Sequence, residues 1–255
     1  MPSYKAPTSD QDRLTALEKA RDTGTTDIAA GRKSITQETL DALKAFVPIF
    51  RLLFDALTKA LSGRMKEVRE REEARAVLDT YVRDFWEVLK RRAHRHKYPI
   101  EVLPLFGLDA DGAVPVISTF DDLLHFADKI VKGEADAVAA GYPGMSNPGA
   151  AEVAAVLAAA RTQAADVPTA DRAYTDSQTA IAAQRPKADG YIEDVMADLN
   201  SSLRRYDPPT QRRIKRTYGA TYETLPGEPD ETAEPTPPTQ PASQPGATPA
   251  PGGGA

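Results

Sequence analysis

The sequence has no cysteine, only three histidines and a single tryptophan in 255 residues. Without cysteine there is no disulfide framework and no thiolate to act as nucleophile or metal ligand. The histidines are scattered, which leaves few nucleophile–base pairings. His94 and His96 are two apart, roughly 200° around a helix, so they cannot share a face. Asp122-Leu-Leu-His125 has the acid-x-x-His spacing of helical di-iron sites, but such sites need two of these motifs and one is present. There is no G-x-S-x-G, no P-loop, no G-x-G-x-x-G and no H-E-x-x-H. The expectation is therefore a protein that is not an enzyme, with no cofactor, no metal and no small-molecule substrate.

Long apolar runs are missing as well. Ala45–Phe50 falls far short of the ~18 residues of a membrane span. The first residues, Met-Pro-Ser-Tyr-Lys, carry no apolar stretch of the signal-peptide kind, so the expected compartment is the cytoplasm. The net charge of −5 gives no basic balance pointing to nucleic acid.

What the sequence does contain is heptad periodicity. From Ser34 to Lys97 one row reads Leu40, Val47, Phe54, Leu61, Val68, Arg75, Val82, Leu89. A second reads Leu43, Phe50, Leu57, Arg64, Arg71, Leu78, Phe85, Arg92. Apolar side chains at this spacing fall on one helix face, as in a coiled-coil seam. Ser34-Ile-Thr-Gln37 fits a capping box at its start, and Lys90–Lys97 suits the negative end of a helix before Tyr98-Pro99. Pro48 should kink the helix. Gly63 allows a turn, but the helix formers of 65–75 favour continuity.

Residues 148–206 carry a second, alanine-rich heptad pattern, with Pro168 and Pro186 set to kink or break it. Asn147-Pro148 reads as its start. Antiparallel pairing of the two stretches, with Leu89 near Val153, sets the polar gap of one seam against that of the other. Arg64 and Arg71 then face Gln178 and Asp171, because a buried unpaired arginine is strongly disfavoured.

The remaining elements are shorter. Ser9-Asp-Gln-Asp12 starts a first helix that Thr23-Gly24 should stop. Residues about 100–117, with a turn at Asp109-Ala-Asp-Gly112, read as a small β-hairpin that Pro104 and Pro115 confine to edge strands. Ser118-Thr-Phe-Asp121 caps a helix over about 119–140, which Gly133 interrupts or Gly141 ends. A short basic helix spans about 208–218, with Gly219 beyond it.

The expected fold is mostly α. It is a long antiparallel coiled-coil-like helical hairpin or bundle, with a small β-hairpin near one end and a disordered C-terminal tail. Residues 1–8 are expected to be disordered, 9–225 to form one helical domain, and the Pro-rich stretch 226–255 to be a disordered tail.

Such a chain reads as a non-catalytic structural or interaction protein, a helical scaffold whose partner is itself or another protein. Its candidate interaction surface is Phe46, Leu53, Trp86 and Val88 on the long helix, with Leu105 and Phe106 in the hairpin. An alternative is nucleic-acid or anion binding through Arg204, Arg205, Arg212, Arg213, Lys215 and Arg216. A further alternative is membrane action through the apolar hairpin.

Overall fold

The computed structural model describes residues 3–95 and 99–223. The tail expected over 226–255 lies outside them, as do His96 and Lys97. The described chain is mostly α. Its helices are α1 (Asp10–Ala29), α2 (Gln37–His94), α3 (Phe120–Ala139), α4 (Ala150–Ala182), α5 (Arg185–Ser202) and α6 (Pro208–Thr217). A 3₁₀ helix covers Ile100–Phe106, and strands β1 (Ser3–Lys5) and β2 (Thr221–Glu223) pair antiparallel. The chain divides into two compact units. One takes the chain up to Leu43 and from Tyr191 onward; the other is Lys44–Gly190.

In the first unit, Ser9 caps α1 by accepting from Asp12 N. Gly24 does not stop this helix. It is buried, and an added Cβ would lie 2.6 Å from Ile35 Cδ1, so the glycine serves close packing. Thr36, not Ser34, caps α2, its Oγ1 accepting from Thr39 N at 3.1 Å. Ser34 instead donates to Asp27. Leu14, Leu17, Leu40, Leu43, Val195 and Leu199 make the apolar core.

Residues 3–5, expected to be disordered, are held by β2: Tyr4 lies opposite Tyr222, and the two rings meet edge-on at 6.1 Å. The two strands of the fold are therefore the first and last described segments of the chain, and not residues 100–117.

Asp27 is the unit's buried carboxylate. It accepts from Tyr218 Oη at 2.7 Å, from Ser34 Oγ at 2.9 Å and from Arg32 Nη2 at 2.7 Å. Burial alone would raise its pKa, but the bonds from Tyr218, Arg32 and Ser34 outweigh this and hold it below the ordinary carboxylate range. Burial, with the carboxylate beside it, pushes the Tyr218 hydroxyl above the usual tyrosine range, so it stays a donor. A depressed carboxyl stabilises the fold above its unfolded value of ~3.9, and that contribution fades as pH falls through the folded value. Tyr218→Phe is expected to lower stability at neutral pH by about 1–3 kcal/mol. The deficit should shrink below pH ~4 as Asp27 protonates. Urea unfolding at several pH values measures both.

In the second unit, α2 and α4 pack against each other and run antiparallel. Arg64 meets Asp171, whereas Ala74 and Val77 lie beside Ala155, Val156 and Ala159. The core gathers at the C-terminal part of α2: Leu78, Val82, Phe85, Trp86 and Leu89 pack with Val102, Leu103, Phe106, Leu123, Ile130, Val153 and Leu157.

The 3₁₀ helix replaces the expected hairpin for a readable reason. Val102, Leu103 and Phe106 are its buried residues, a helical i, i+1, i+4 spacing and not an alternation. Pro104 supplies no N–H for a ladder, and Gly107, at φ 85°, closes the turn by donating to Pro104 O. The turn at 109–112 is present, with Gly112 N donating to Asp109 O at 2.8 Å, but the segments on its two sides do not pair.

Thr119 caps α3, with Asp122 completing the box. Gly133 sits inside α3 and Gly141, at φ 89°, follows its end. α4 starts two residues after Pro148, where the Glu152 carboxylate accepts from Gly149 N at 2.7 Å. Pro168 stays inside α4, while the break falls at 183–184, just before Pro186.

Both Pro48 and Gly63 lie within continuous α2. Nothing lies within 4 Å of where a Gly63 Cβ would be. Gly63→Ala is therefore expected to raise stability by about 0.5–1 kcal/mol, the ordinary gain in a helix interior. A loss would mean that this position is a turn.

Candidate interaction surface

Heptad patterning places apolar residues on α2 along its whole length, but the helix is covered unevenly. Between Phe50 and Leu78 no described side chain of α2 is buried. Leu53, Phe54, Leu57 and Val68 are half-buried. Leu52 is 70% exposed and Met65 65% exposed, and Ile49, Leu61 and Val77 are exposed as well. α4 answers with Ala155, Val156 and Ala159, which with Ala74 and Val77 line an apolar groove of about 350 Å³.

The polar waist exists in altered form. Arg64 Nε donates to Asp171 Oδ1 at 2.5 Å, and its guanidinium lies 5.6 Å from the Tyr174 ring. The hydrogen bond and charge of Asp171 hold the Arg64 pKa above its ordinary value. Arg71, expected opposite Asp171, pairs instead with its neighbour Glu72 at 2.6 Å. Gln178, expected opposite Arg64, donates to Tyr174 Oη within its own helix at 2.8 Å. The two helices thus sit one heptad away from the expected register. The physical premise differs too: Arg64 and Asp171 are 43% and 47% exposed, so this is a solvated pair and not a buried one.

The apolar residues put forward from sequence divide. Trp86 and Phe106 are core, not surface. Trp86 Nε1 donates to Phe106 O at 2.9 Å in a buried bond, and its ring meets Phe126 of α3 edge-on at 5.5 Å. Phe46 is also buried, beside Phe50 at 5.7 Å and Lys187 at 5.5 Å. Val88 is half-buried against the core, and Leu53 is half-buried. Only Leu105 of the six is exposed, at 41%. The residues that sequence reading missed, Ile49, Leu52, Met65 and Val77, lie outside both heptad rows. Buried Phe46 and Trp86 lie outside the rows as well, so displacement from the seam alone could not have found them.

The basic residues divide as well. Arg204, Arg205 and Arg213 are exposed, and Arg212 is half-exposed. Arg216 lies 5.3 Å from the Tyr222 ring. Lys215 is buried and donates to Asn200 Oδ1 at 2.5 Å, and burial holds its pKa below the usual lysine range. Lys215 is thus a packing residue of the first unit and no part of an exposed cationic face.

Asp122 is occupied as a helix cap, accepting from Thr119 N at 2.9 Å, and His125 lies exposed beside Phe126. A cleft of about 900 Å³ opens at the end of α2 among Lys90, His94, Glu101 and Asp111. Its polar groups are partly engaged already. Lys90 pairs with Glu87 at 2.7 Å, and Asp111 accepts from Ala113 N at 2.9 Å.

Among the described residues, no helix is long and apolar enough to cross a membrane. Comparison with known proteins finds no family model, no curated protein and no solved structure that matches this chain.

Proposed function

We propose that the chain is a non-catalytic helical scaffold, acting in the cytoplasm, that works by binding protein, either a second copy of itself or another chain. The observation that carries this reading is the uncovered middle of α2. Single exposed leucines are ordinary on a protein surface. Here the helical stretch between Phe50 and Leu78 buries no side chain and exposes Leu52, Met65 and Val77. Leu52 and Val77 fall on one face at about 100° per residue, and a partner helix laid along that face would remove it from water at roughly 25 cal/mol per Å².

The test is Leu52→Gln with Met65→Gln in the full chain. Helicity and melting temperature should stay near those of the parent, since both side chains already face solvent. Sedimentation velocity should show association of the parent with rising concentration, and loss of it in the variant. A parent that stays monomeric, and retains no protein that the variant fails to retain, would contradict the reading.

A second reading rests on Arg204, Arg205 and Arg213, which are exposed close together in sequence. If they contact phosphates, changing all three to Gln should flatten the salt dependence of nucleic-acid binding by roughly one unit per contact. Absence of salt-dependent binding by the parent at low ionic strength removes this reading.

A further inference from the structure

Residues 113–117 have the character of a strand that lacks a partner. Exposure alternates along them: Val114 and Val116 are exposed, Val116 at 84%, whereas Pro115 and Ile117 are half-buried. Ile117 packs against the core of its unit. A period of two marks an extended chain lying with one face on the protein. Val114 precedes a proline and is held extended by it, and Pro115 has its own φ fixed near the extended range.

The two edges of this segment differ. In an extended chain, residues i and i+2 point their N–H and C=O groups to the same edge. Ala113 shares an edge with Pro115 and is used by the preceding turn: its O accepts from Asp109 N and its N donates to Asp111 Oδ1. Val114 and Val116 share the other edge, and within the described residues their backbones make no hydrogen bond. The N–H that Pro115 lacks belongs to the edge that is not open.

We propose that a second copy of the chain pairs with residues 114–116 in antiparallel fashion, about a two-fold axis at Pro115. The proposal rests on the protein-binding reading above and names its partner and a site. Val-Pro-Val is palindromic, so the pairing is self-complementary, as an isologous contact requires. Pro115 meets its copy in a non-hydrogen-bonded position. Val114 meets Val116 of the copy in a hydrogen-bonded position, and every open N–H and C=O on that edge is used. Any other extended peptide would satisfy the backbone; the same sequence also sets valine against valine at both hydrogen-bonded positions. Two strands this short bury well under the roughly 1,200 Å² of a stable standard interface, so the dimer is weak and concentration-dependent.

The absence of cysteine makes the test clean. Pro115→Cys, Val114→Cys and Val116→Cys are made singly in the full chain, with Thr25→Cys on the exposed surface of α1 as control. Non-hydrogen-bonded partners lie about 4.5 Å apart between Cα atoms, within disulfide reach, whereas a valine position and its own copy are two residues out of step. Under mild oxidation the position-115 variant should form disulfide dimer roughly tenfold faster than the other three. Adding Val114→Lys and Val116→Lys should abolish that advantage, and in the parent should lower the sedimentation-detected dimer. Equal rates at 114, 115 and 116, or a rate at 115 no greater than at 25, overturns the proposal. If those rates are equal while the parent still associates in a manner lost with Leu52→Gln/Met65→Gln, this site falls and the scaffold reading stands.

Discussion

Replacing Trp86 with alanine is expected to lower the unfolding free energy by about 3–5 kcal/mol, the usual range for deleting a fully buried aromatic. The side chain has no exposed surface, packs edge-on against Phe126 and sits in the cluster that joins α2 to the 3₁₀ helix, α3 and α4. Its Nε1–H is the donor to Phe106 O, so truncation also strands a buried carbonyl. Trp86→Phe separates the two effects, keeping most of the volume while losing the bond. Equilibrium urea unfolding reads both variants. A loss below about 1 kcal/mol for alanine would place Trp86 on an open surface, as the sequence alone suggested.

Gly133→Ala should also destabilise, by about 1–3 kcal/mol, although alanine is normally the better helix residue by about 1 kcal/mol. The sign reverses because of what lies opposite. A Cβ at Gly133 would sit 2.3 Å from Leu105 O and 2.7 Å from its carbonyl carbon. These are backbone atoms of the 3₁₀ helix and cannot rotate aside. Either that helix lifts from α3 or α3 bends. The contrast with Gly63, where the same change is expected to stabilise, is measured by the same unfolding curves.

Much of the helical order was legible because its causes are local. Ser9 marks a helix start by side-chain chemistry visible in the sequence, and the cap of α3 was legible to within one residue, Thr119 and not Ser118. The heptad rows of α2 likewise show a face that must be buried somewhere. What could not be read was what buries it. Trp86 and Phe46 looked like flank residues because the bodies that cover them are remote in sequence or hidden in a mis-assigned segment. Gly24 and Gly133 looked like breakers because a glycine that ends a helix and one that admits a neighbour are the same letter. The register of α2 against α4 slipped by a heptad for a related reason. A repeat of seven permits every shift of seven, and the polar waist has more than one way to pair its charges. Tyr4 and Tyr222 pair across nearly the whole chain, a separation no local pattern encodes.

The pairing of α2 with α4, which leaves the middle of α2 uncovered on its other sides, is the central structural claim. A cysteine pair placed at Arg64 and Asp171, in a chain without other thiols, tests it most directly. A short thiol-to-thiol crosslinker should join this pair within one chain, efficiently and without loss of helicity. The pair at Arg71 and Asp171, roughly 10 Å farther along α2 at 1.5 Å per residue, should crosslink poorly. Efficient joining of 71 to 171 with failure of 64 to 171 would contradict the register, and failure of both would contradict the pairing itself.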